Sequence, residues 1–171
     1  MIATFSAVLA SPEFLFQCSQ PGKLDDFALA ERLSFFLGES MPDETLSKLA
    51  RTGKLRDAGN LKKQVDRLID KPEFNRFVRE FLNSWLKLAE INDRDPDREL
   101  YPEYAGDWWL VSSMVKESQL FFADLIVNNR PASGLIDSDY TFLDERLARH
   151  YGVDGLQGPV FKLSLIHISE P

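Results

Sequence analysis

The sequence predicts an all-α fold, an irregular bundle of about six to seven helices with no sheet. Three observations predict it. Apolar side chains recur at three- and four-residue spacing, most clearly in Phe74, Phe77, Val78, Phe81, Leu82, Trp85 and Leu86. Helix start and stop residues punctuate the chain, with Ser, Asp and Pro at the starts and Gly at the ends. No alternating strand pattern of useful length and no internal repeat is present.

The elements follow in order. An apolar run predicts a helix over residues 2–10, and Ser11-Pro12 restarts a helical turn, since Ser caps well and Pro suits the first helical position. Residues 17–23, with Pro21-Gly22, form a loop. A helix runs from Asp25 to Leu37, with Asp25 and Asp26 at its N-terminus, Leu29, Leu33, Phe36 and Leu37 as its buried stripe, and Gly38 as its stop. Pro42-Asp43-Glu44 opens a short helix through Leu46, Leu49 and Ala50, closed by Gly53. The next begins after Asp57 and presents Leu61, Val65, Leu68 and Ile69 on one face. Pro72 interrupts it, because proline disfavours helical backbone in the residue before it.

The strongest helix spans residues 72–88. Its wide apolar face, Trp85 included, requires burial, at roughly 1.5–3 kcal/mol per large side chain before entropy. Residues 90–106 make the one long polar connection. A helix over residues 107–129 carries Val111, Met114, Val115, Phe121, Phe122 and Leu125. After a turn at residues 131–139, the last helix spans Phe142 to Tyr151, with Thr141 as cap, Leu143, Leu147 and Tyr151 facing inward, and Gly152 as stop.

Composition bounds the function classes. The 171 residues are 44% hydrophobic and 27% charged, which is globular rather than disordered. The formal net charge of −7 argues against a nucleic-acid partner, which would need a basic face, and against a polybasic membrane contact. No stretch has the length of a membrane span. A single cysteine, Cys18, permits no internal disulfide and no thiolate metal site. The C-terminal nonapeptide LSLIHISEP, Leu163 to Pro171, matches a one-frame translation of a transposase-type sequencing adapter. It is therefore set aside as a non-native tail, and His167 with it. Residues 1–162 are expected to form one helical domain of a longer protein.

Three segments carry a resemblance: Leu9–Phe16 (LASPEFLF), Leu24–Asp43 (LDDFALAERLSFFLGESMPD) and Tyr140–Gly152 (YTFLDERLARHYG). In this order and spacing the chain resembles a helical domain of unknown function. That domain recurs in large planctomycete multi-domain proteins beside c-type cytochrome domains. The resemblance implies an extracytoplasmic location, neighbouring domains in the same polypeptide as partners, and c-type haem elsewhere in the parent protein. This chain has no Cys-x-x-Cys-His, so no cofactor is expected within it.

No catalytic constellation stands out. Asp93, Asp95 and Asp97 are the metal candidates, because alternating carboxylates suit a hard cation such as calcium. An EF-hand loop starting at Asp93 would need Gly and Glu where Arg98 and Tyr104 stand, and a solvated acidic linker accounts for the same residues. His150 reads as a helix-terminal residue rather than a ligand, since the dipole there favours its protonated form. Met41 and Met114 read as packing residues. Asp25 and Asp26 read as caps, Glu31 as an exposed face, and Cys18 as an inert thiol. Trp108 and Trp109, beside Tyr101 and Tyr104, form the candidate interaction surface. The expected function is a non-catalytic helical scaffold or interaction domain. The alternative is a contribution to a hydrolytic or oxidative site acting on polysaccharide, with Asp93, Asp95, Asp97 and Trp108 in one cleft.

Overall fold

The computed structural model describes residues 6, 7, 9–12, 22–93, 97, 99–102, 104 and 107–165. Most of the helix expected at 2–10, together with Cys18, Asp95 and His167, lies outside the described residues. The chain divides into two compact units, Met1–Arg67 and Leu68–Pro171.

In the first unit, helix α1 (Asp26–Gly38) is capped by Asp25, whose carboxylate accepts from the Ala28 amide at 2.7 Å. Its stop is one residue later than the sequence predicts. Glu39, not Gly38, takes the left-handed conformation (φ 49°), and its N–H donates to the Phe35 carbonyl. Helix α2 (Glu44–Arg51) starts at Asp43, which caps the Leu46 amide at 3.0 Å. The two helices pack together, burying Ala30, Leu37, Leu46 and Ala50. Helix α3 (Ala58–Ile69) supplies Arg67, whose two terminal nitrogens grip the Asp43 carboxylate at 2.7 and 3.1 Å. The cap of α2 is thereby held by a forked, charge-assisted contact.

Asp26 is not the second cap the sequence suggests. It is 5% exposed, and its Oδ1 accepts from both the backbone N–H and the Nε of Arg56. A buried carboxylate needs such partners. Gly53 makes the turn beneath it at φ +65°, where a side chain would be strained.

In the second unit, helix α4 (Phe74–Leu86) buries Phe74, Val78 and Leu82. It packs against helix α5 (Trp108–Val127). Phe81 stacks on Phe122 with ring centroids 5.2 Å apart. Trp85 departs from its expected place. It leans on Phe81 and Phe122 but is 52% exposed. A 3₁₀ stretch, Leu88–Asp93, follows α4, and another, Ala132–Leu135, follows α5.

The expectation of no sheet is wrong. Strand β1 (Tyr140–Leu143) pairs antiparallel with strand β2 (Lys162–Leu165), Tyr140 opposite Leu165 and Leu143 opposite Lys162. The class remains mainly helical. Two causes hid the sheet. Tyr140, Thr141 and Leu143 are all buried, so a four-residue strand shows no alternation. Its partner lies mostly in the segment discounted as a tail. The last helix, α6 (Glu145–Tyr151), is consequently shorter than predicted and is capped by Asp144 rather than Thr141. Asp144 Oδ1 accepts from the Leu147 amide at 2.9 Å, while Oδ2 accepts from the Ser113 hydroxyl at 2.6 Å. Leu110, Leu143, Leu147 and Ala148 form the core beneath it, with Met114, Val153, Leu156 and Phe161 around them.

Candidate functional site

Chemistry-bearing side chains concentrate along α6 and the start of α5, all within the second unit. Asp107 sets the first of them. Its Oδ1 accepts from the Leu110 amide at 3.1 Å, capping α5, and its Oδ2 accepts from Arg146 Nη1 at 2.6 Å. Desolvation pushes the Asp107 carboxyl up, but the Leu110 amide and the Arg146 guanidinium outweigh it and hold the group below the ordinary value of 3.8. Glu145 holds the chain beyond α6. Its N–H donates to the Gly158 carbonyl, and its Oε2 accepts from the Gly158 N–H at 2.8 Å. Its Oε1 takes Arg149 Nη2 at 2.9 Å.

Two cavities open here. One, of about 370 Å³, is lined by Trp109, Ser113, Asp144, Glu145, Arg146, Arg149, Gly158 and Pro159. The other, of about 360 Å³, is lined by Asp107, Leu110, Arg146, Arg149 and His150. Arg146 and Arg149, three apart on α6, belong to both walls.

An aromatic and hydroxyl cluster adjoins the second cavity. Tyr101 meets Tyr104 edge-on, and Tyr104 meets His150 edge-on at 5.4 Å, with the Tyr104 hydroxyl 3.4 Å from His150 Nε2. His150 also touches the Tyr151 ring. Glu117 on α5 collects two hydroxyls, from Thr141 at 2.5 Å and Tyr151 at 2.9 Å. Burial, and then the Glu117 charge, push the Tyr151 hydroxyl far above its usual range. Burial and a hydrogen bond to Asp124 also raise Tyr140.

The sequence-selected residues fall into distinct places. Trp108 and Trp109 are 68% and 72% exposed, and Tyr101 is half exposed. Tyr104 is partly buried against His150. Only Trp109 of these four lines a described cavity. Asp93 and Asp97 are exposed, and Asp97 Oδ1 accepts from the Glu99 and Leu100 amides as a turn cap. No group of three His, Cys, Asp or Glu side chains is gathered for a metal among the described residues. Nor is any described helix long and apolar enough to cross a membrane.

The i, i+4 pairing of Glu145 with Arg149 was legible in the sequence and is present, whereas sequence reasoning missed Arg146 and Glu117. The i, i+3 spacing of the two arginines was a usable signal. Glu117 gave none, since its partners lie 24 and 34 residues away.

A chain of this architecture, mainly helical with a small antiparallel pair, is a domain of unknown function by its family relationship. The family model described as PSD4, protein of unknown function (DUF1592), matches residues 24–153, and the chain belongs to that family. No curated protein matches the chain, and no solved structure does.

Proposed function

We propose that this chain is a non-catalytic helical scaffold that docks onto neighbouring domains of a larger, extracytoplasmic, haem-containing protein of the planctomycete type. The observation that carries the reading is the exposure of large apolar side chains in both units. Trp108, Tyr101 and Leu100 lie open on the second, and Phe27, Phe36 and Met41 on the first. Helix α1 buries Ala30, Ser34 and Leu37 and leaves Phe27, Phe35 and Phe36 largely exposed. Exposed apolar groups gathered into one patch mark contact surfaces. The resemblance supplies the context of cytochrome-bearing neighbours. Covalent c-type haem does not fit this chain, whose one cysteine cannot make the two thioether bonds of a Cys-x-x-Cys-His site. The polysaccharide-site alternative draws no support from Asp93, Asp97 and Trp108, since none of the three lines either described cavity.

Hydroxyl-radical footprinting of Trp108, Tyr101, Phe36 and Met41 in the isolated chain and in the full parent polypeptide tests the reading. Protection of these side chains in the parent is expected. Equal labelling in both would sink it, as would protection that depends only on the concentration of the isolated chain.

A further inference from the structure

The cavity walls along α6 are rich in hydrogen-bond donors and have no carboxylate oxygen left without a partner. Asp107 engages Leu110 and Arg146, Asp144 engages Leu147 and Ser113, and Glu145 engages Arg149 and Gly158. Each guanidinium, by contrast, makes one hydrogen bond among the described residues, through Nη1 of Arg146 and Nη2 of Arg149. An arginine carries five donors, so each has donors left over, and both side chains line the cavities while reaching solvent. The fork geometry suits a carboxylate or a related oxyanion. Beside the pair, Trp109 lines the same cavity and is largely exposed. An open indole face stacks on flat apolar surfaces, and the C–H face of a pyranose is one. Each cavity is of small-ligand size, and the two share the arginine wall, so a ligand running along α6 could occupy both.

We propose that this double cavity binds an oligosaccharide carrying acidic groups, with a sugar ring on Trp109 and its carboxylate or sulfate held between Arg146 and Arg149. The net charge of −7 does not oppose this at ordinary ionic strength. Charges beyond about 8 Å are screened, and the nearer carboxylates, Asp107 and Glu145, each occupy one N–H of an arginine and leave the others to the ligand. The surface is distinct from the docking surface above. Trp108 precedes Trp109 by one residue and points about 100° away around α5. The two ideas therefore fail separately.

Calorimetric titration of the isolated chain decides the matter, using hexagalacturonate, a sulfated oligosaccharide, cellohexaose and a hexaglutamate peptide as probes. Binding of one or both acidic sugars is expected, with neutral cellohexaose at least about tenfold weaker. Uronate binding alone assigns the arginines to a carboxylate, and sulfate binding alone to a sulfate. Trp109→Ala and Arg149→Gln should each weaken binding about tenfold. Both side chains are exposed, and circular dichroism checks the fold. Rising salt should weaken the wild-type interaction, an independent readout should either variant misfold. The proposal is overturned if neither acidic sugar binds saturably, if cellohexaose binds as well, if hexaglutamate matches the sugars, or if both folded variants bind like wild type.

Discussion

Three aspartates do two tasks each in this chain. Asp43, Asp107 and Asp144 cap α2, α5 and α6, and each uses its second oxygen to tie that helix start to a distant side chain, Arg67, Arg146 or Ser113. The capping half of this was legible in the sequence for Asp43, because an aspartate three residues before an apolar position is a local pattern. The second half was not, since the partners lie 24 to 39 residues away. Asp107→Asn tests the division of labour. Asparagine still caps, so at neutral pH the loss should be only that of a partly exposed ion pair, up to about 1 kcal/mol. The Asp107 carboxyl is held below 3.8 in the folded chain. A lowered value contributes stability that is present above the unfolded value and is lost as pH falls through the folded one. The stability gap between wild type and Asp107→Asn should therefore close as pH drops below about 4. Urea unfolding at neutral pH and near pH 3 measures it, and a gap that ignores pH would refute the ion-pair assignment.

Among the elements, the β1–β2 pair is the one that local patterning could not supply. Four residues buried at three positions look like any short apolar run, and the spacing of Phe142, Leu143 and Leu147 also fits a helix. What selects the strand is its partner across the ladder, together with Asp144, which starts the helix afresh. β1 also lies against α5, and its Thr141 hydroxyl reaches Glu117. A chain ended after Phe161 leaves the β1 edge unpaired. Hydrogen exchange should then show β1 amides losing protection by about tenfold or more, while α4 amides change little. Unchanged β1 exchange would mean the ladder contributes nothing to that region. The apolar ladder of α4 was legible by contrast, because its periodicity runs over three turns. Phe81, Trp85 and Leu86, at the C-terminal end of the ladder, stay exposed, and Phe81 and Trp85 lean on Phe122 from there.

At the scale of the molecule, two tyrosines, one buried (Tyr140) and one half-buried (Tyr151), hold their hydroxyls against carboxylates. Tyr140 and Tyr151 are both raised, chiefly by burial and then by Asp124 and Glu117. A raised value contributes stability that is complete below the unfolded value, near 10, and is lost as pH rises through the folded one. The chain should accordingly lose stability above about pH 10. In a spectrophotometric titration these two of the four tyrosines should ionise late, together with alkaline unfolding. Tyr151→Phe should make the alkaline loss of stability shallower. A Tyr151→Phe chain with an unaltered alkaline limb would show that the Glu117 contact does not matter to folding.

By itself the sequence determined a mainly helical chain, the positions of most helices, the Asp25 and Asp43 caps, and membership of a domain family of unknown function. These depend on neighbours three or four residues apart, which a reader of the sequence can see. Only the tertiary structure decided the antiparallel pair, the exposure of Trp85, and the donor-rich double cavity along α6. Each of those depends on groups far apart in sequence. Whether a carboxylate is engaged or open, and whether an aromatic is covered, is set by what packs against it.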